Sequence, residues 1–153
     1  MKVPTDATTV YTSSLWAGNS GTTTVTGIGF TPDVVWTKAR NASYGNRDTD
    51  RLRGFGYALC QDTTDATLDN TTIGVNPFNQ TGYTILSGNP YNASGTNYVG
   101  HAFGRAPSFM DVVCYTGTGT SNSAKPHNLA VEPELIIIKR RDTAENWPVY
   151  CKY

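Results

Sequence analysis

Short runs of β-branched and aromatic residues, cut apart by clusters of Gly, Asn, Ser and Thr, leave this chain few ways to fold. Runs of strand length are Val10 to Leu15, Thr22 to Ile28, Asp33 to Lys38, Tyr57 to Cys60, Tyr83 to Leu86, Tyr98 to Phe103, Phe109 to Tyr115, Leu135 to Arg140 and Trp147 to Cys151. Between them lie segments such as 17–21, 87–90 and 116–123, whose residues tolerate positive φ or bond their own backbone. Helical spacing occurs only from Asp50 to Cys60, where Gly54 and Gly56 interrupt it, so a short turn is the most it supports. Short strands at this density predict an all-β fold, an antiparallel β-sandwich. With 153 residues, a single module spanning 1–153 is expected.

Inside that pattern a unit recurs. Gly29 to Arg40 aligns with Ala130 to Arg141, matching Pro32 to Pro133, Asp33 to Glu134, Lys38 to Lys139 and Arg40 to Arg141 at constant offset. Upstream, Tyr11 and Tyr115 each open a run that leads into a Gly/Thr/Ser turn, so the repeat covers about 11–40 and 115–141. A period of about 100 residues exceeds any solenoid unit and points to two related halves or tandem copies. Proline removes a backbone donor just before each apolar run, the acid after it keeps the strand mouth solvated, and Lys-x-Arg returns the chain to solvent. Pro32 and Pro133 are therefore expected to precede equivalent buried strands, with Val34 to Trp36 and Leu135 to Ile137 both in the core.

Several function classes find no support. Twelve basic and twelve acidic residues cancel, leaving no footprint for a phosphate backbone, so nucleic acid is not an expected partner. No apolar run approaches the roughly 20 residues of a membrane span, and the start lacks the apolar core of a signal peptide. Cys60, Cys114 and Cys151 form an odd set with no C-x-x-C spacing and read as reduced thiols, one disulfide plus one free cysteine being the alternative. His101 and His127 stand apart without a metal-ligand motif, so no metal site is expected. Asp48, Asp50, Asp62, Asp65 and Asp69 could supply oxygen ligands to Ca²⁺, but residues 61–69 lack the glycine and terminal glutamate of an EF-hand loop and Asx-turns explain scattered aspartates cheaply, so no cofactor is expected.

Catalytic constellations are equally thin. Glu132, Glu134 and Glu145 are the only glutamates and crowd one end of the chain, a poor arrangement for the facing carboxylates of a glycosidase. No serine sits in a G-x-S-x-G elbow and no glycine-rich loop ends in Gly-Lys-Ser/Thr, so no catalytic residue is assigned. Asn92-Ala-Ser matches a glycosylation sequon, yet with Gly95 following it reads better as a turn. Aromatic side chains are the best binding residues available. Trp36 reads as core, while Trp16, Tyr44, Tyr91 and Trp147 lie near loops and are the candidates for stacking on a ligand, with packing as the competing role. Trp147, Val149 and Tyr150 are the candidate interface residues, because an unpaired apolar strand edge favours association.

Taken in order, the blocks 27–40, Arg53-Gly54, Gly82-Tyr83, 92–99, Tyr115 to Gly119 and Pro133 to Asp142 carry a resemblance. Over roughly residues 10–150 the chain resembles a domain of unassigned function in tail-appendage and minor structural proteins of tailed bacteriophages. That resemblance implies a sandwich of the jelly-roll or concanavalin A-like kind, a virion location in the tail or a tail appendage, partners that are copies of itself or other virion proteins, and no catalytic residue to carry over. A lectin-like module that binds host-surface polysaccharide is the alternative function. The family pattern runs on past the segment matching Trp147 to Tyr150, implying a shortened relative or a fragment.

Overall fold

The computed structural model describes residues 2–153. These form a 3-10 turn (Ala7–Thr9) and strands β1 (Tyr11–Ala17), β2 (Thr23–Val25), β3 (Val34–Ala39), β4 (Arg47–Asp50), β5 (Tyr57–Cys60), β6 (Leu68–Asp69), β7 (Gly74–Asn79), β8 (Gly82–Leu86), β9 (Asn97–Phe103), β10 (Leu135–Ile137) and β11 (Val149–Cys151). A six-stranded sheet of order β1-β9-β3-β4-β5-β6 faces a three-stranded sheet of order β2-β8-β7, and β10 and β11 pair separately. The neighbouring strands are antiparallel. The fold is thus an antiparallel β-sandwich, as the run-and-turn pattern predicts.

Alternation along β9 shows how the sheets meet. Tyr98, Gly100 and Ala102 are buried and point inward, whereas Val99, His101 and Phe103 are half-buried on the outer face. Opposite them, Val25, Val75, Tyr83 and Ile85 come from the smaller sheet into the same core as Trp16, Val35, Tyr98 and Ala102. Tyr83 reaches furthest. Its ring meets Trp16 edge-on at 6.4 Å, and its hydroxyl sits 2.7 Å from Ser14 Oγ. Room for that hydroxyl exists because residue 100 is glycine: a methyl there would collide with Tyr83 Oη and stand 3.0 Å from the Trp16 ring. Burial pushes the Tyr83 phenol up to about 12, so the hydroxyl stays neutral and hydrogen-bonded.

A second buried polar anchor is Asn92, fully shielded from solvent. Its Nδ2 donates to Gly21 O at 2.8 Å, Asn19 Oδ1 at 3.0 Å and Thr23 Oγ1 at 3.1 Å, tying the β1–β2 loop to the turn before β9. The turn reading of this segment therefore holds, and a side chain so enclosed is no glycan acceptor.

Most expected strands lie within a few residues of the observed ones, and Tyr57–Cys60 coincides. β4, β6 and β7 were not expected. β4 reads Arg-Asp-Thr-Asp, with no apolar residue to announce it, and β7 contains Pro77. Phe109 to Tyr115 forms no strand beyond an isolated bridge between Ala106 and Met110.

The repeat is reproduced in the backbone. β3 pairs with β4 as Val34 with Asp50, Val35 with Thr49 and Trp36 with Asp48; β10 pairs with β11 as Leu135 with Cys151, Ile136 with Tyr150 and Ile137 with Val149. Both members of each pair move by the same 101 positions that separate Pro32 from Pro133. The closing contacts follow suit. Arg51 N donates to Asp33 O at 2.8 Å and Lys152 N to Glu134 O at 2.9 Å. Lys38 Nζ donates to Tyr44 O, and Lys139 Nζ to Glu145 O at 3.0 Å.

Burial departs from expectation. Pro32 and β3 are enclosed, but Leu135, Ile136 and Ile137 are exposed and contribute nothing to the core. β3 has β9 along its other edge and the β2-β8-β7 sheet over its inner face, and β10 has neither. At the same offset β1 falls on residues 112–118, where no strand forms. The buried hydrophobic residues accordingly run from Val10 to Ala106, so the packed module is smaller than 1–153.

The Gly100 notch supplies a direct test of sheet packing. Gly100→Ala should lower unfolding free energy by about 1–3 kcal/mol, since an added methyl in a filled core forces displacement. Denaturant titration measures it, and pairing the change with Tyr83→Phe, which removes the colliding hydroxyl, should recover part of the loss.

Candidate interaction surface

β10 and β11 present an unusual face. In a strand successive side chains point to opposite sides, so one covered side leaves every second residue buried. Here Leu135 (57%), Ile136 (40%), Ile137 (49%), Val149 (60%) and Tyr150 (50%) are all exposed, which means that neither side of the hairpin is covered. Ile138 and Val131 extend the apolar patch. A two-stranded ribbon with two bare apolar sides is marginal alone, and such patches mark contact surfaces.

What holds the hairpin is polar and lies at one end. Lys139 Nζ donates to Thr64 O at 3.1 Å, Glu145 N to Thr64 O at 2.9 Å, Trp147 Nε1 to Thr63 O at 2.9 Å and Thr67 N to Arg141 O at 2.9 Å. Lys139 also lies over the Trp147 ring, 5.8 Å from its centre. The loop between β5 and β6 thus clips the C-terminal segment to the sandwich by backbone carbonyls. Between this segment and the outer face of the large sheet an open cleft of about 1720 Å³ remains, with Trp36, Asp48 and Arg53 on the sheet side and Tyr115, Ile137 and Val149 across from them.

The outer face carries an aromatic row. Tyr11 stacks beside His101 with ring centres 6.2 Å apart, its hydroxyl 3.0 Å from His101 Nδ1, and Phe103 lies 5.1 Å from Tyr11 and 4.7 Å from Trp36. Next to Trp36, Arg53 bonds Asp48 at 3.1 Å and also Asp50. Its side chain is 3% exposed, and Nη1 is buried without a partner. Loss of hydration drives the Asp48 carboxyl up to about 6, against the pull of Arg53 and with a further push from Asp50. At the end of the packed module Asp111 behaves differently: burial alone would raise it, but bonds from Asn128 N, Arg105 Nε and Val112 N outweigh that and hold it below the usual carboxylate range.

The sequence-based site residues scatter. Trp16 and Tyr91 are core, not ligand platforms: Trp16 stacks on Tyr98 at 5.4 Å and donates to Tyr91 O at 3.2 Å, while the fully buried Tyr91 accepts from Asn70 Nδ2 at 3.1 Å. Tyr44 is half-buried against the core. Trp147 lines the cleft, and Val149 and Tyr150 are exposed on β11. Trp36, expected in the core, is half-buried on the outer face, because the inward positions of β3 are Val35, Thr37 and Ala39. The missed residues are Tyr11, His101 and Phe103, which only strand register brings together.

Dispersal also marks the acids. Asp62 accepts from Asn46 N, Asp65 from Thr63 Oγ1 and Asp69 from Thr71 N, and among the described residues no three His, Cys, Asp or Glu gather around one point. Cys60 is buried and Cys114 and Cys151 are exposed, all three as free thiols, with the Cys60 thiol pushed up by burial. Among the described residues no helix is long and apolar enough to cross a membrane.

The chain is an all-β antiparallel sandwich with an uncovered apolar hairpin. By sequence the chain belongs to the family described as a domain of unknown function, DUF7483, whose model matches residues 6–153. No curated protein and no solved structure matches it.

The raised Asp48 carboxyl, whose loss of hydration outweighs its bond to Arg53, makes stability depend on pH in a direction opposite to that of an acid held below its ordinary value. Between its ordinary 3.8 and the folded value of about 6, the folded chain keeps a proton that the unfolded chain has released. Its contribution is full below the ordinary value and is lost as pH rises through 6. Asp48→Asn should therefore gain on the native chain by on the order of 1–2 kcal/mol from pH 4 to pH 7. Denaturant midpoints across that range would refute the assignment if the two curves ran parallel.

Proposed function

We propose that this chain is a non-catalytic structural module of a tailed-phage virion, in the tail or a tail appendage, that assembles through its C-terminal hairpin with copies of itself or neighbouring virion proteins. The observation that carries the assembly reading is the exposure of both sides of β10 and β11. Apolar surface of this kind is costly in water and is removed by association. The virion setting rests on the resemblance of the ordered blocks to phage tail-appendage domains. Support for a non-catalytic role comes from chemistry: buried tyrosines are held neutral, the buried thiol is raised rather than activated, and the buried Asp50 and Asp111 side chains are engaged by Arg53 and Arg105.

A second reading, glycan binding, draws on the outer face. Trp36 offers a half-buried ring lining the cleft beside the partly exposed Asp48 carboxyl, groups that stack on a sugar ring and bond its hydroxyls. Trp36→Ala should abolish binding of host polysaccharide if this reading is correct, and absence of binding by the native chain disposes of it.

The assembly reading predicts mass that grows with concentration. Ile136 and Tyr150 face each other across the hairpin, so Ile136→Glu with Tyr150→Lys keeps a cross-strand pair while making the patch polar. Sedimentation should show the variant monomeric where the native chain associates; a native chain that stays monomeric at high concentration rules out self-assembly. Incubation with envelope polysaccharide, peptidoglycan or model esters should release nothing above buffer, and turnover abolished by one acid-to-amide change would refute the non-catalytic role.

A further inference from the structure

No further inference is drawn: the strongest candidate, the free β10 edge beside the apolar residues Leu135 to Ile138, belongs to the hairpin surface already described, and nothing in the structure shows what covers it.

Discussion

β9 is the strand on which the sandwich depends. It lies between β1 and β3, and β1 has no other neighbour in the sheet. Buried backbone groups must find partners, so a strand with one neighbour exists only as long as that neighbour does. Its inward residues also set the distance to the smaller sheet: Tyr98 stacks on Trp16, Ala102 leaves space, and Gly100 admits the Tyr83 hydroxyl. Hydrogen bonding and packing therefore converge on seven residues, Asn97–Phe103.

The two copies of the Pro-acid-apolar unit separate local from tertiary causes. Both make the same hairpin with the same register, which is the part that local sequence dictates. Only one is buried, since burial depends on a flanking strand and an overlying sheet that lie elsewhere in the chain. Leu135-Ile136-Ile137 is at least as apolar as Val34-Val35-Trp36, so no reading of composition distinguishes them. The fold class was legible because turn clusters and β-branched runs are local properties. β4 was not, because its polar residues are strand-forming only beside Arg53 and the neighbouring β3 and β5.

The binding residues show the same division. Proximity to loops suggested exposure for Trp16 and Tyr91, yet both are packed, because Trp16 occupies an inward position of β1 and Tyr91 ends a turn, closed by its N–H on Gly88 O, that delivers its ring to the core. Trp147 was legible as a half-exposed ring near the C-terminal hairpin. The row Tyr11, His101, Phe103 and Trp36 spans three strands far apart in the chain, and only pairing reveals it. An interaction face assembled from non-neighbouring segments leaves little trace in a linear pattern.

Pairing Tyr11 with Phe103 also bears on the order of events during folding. The meander β3-β4-β5 closes short loops, whereas β1 cannot dock until the chain has reached β9, nearly the whole length of the packed module away. Contacts of such separation carry a large loop-closure cost and slow the search for the native state. During synthesis β1 emerges before β9 yet is then among the last strands of the sandwich to be secured, and its Trp16 remains open to wrong partners in the meantime.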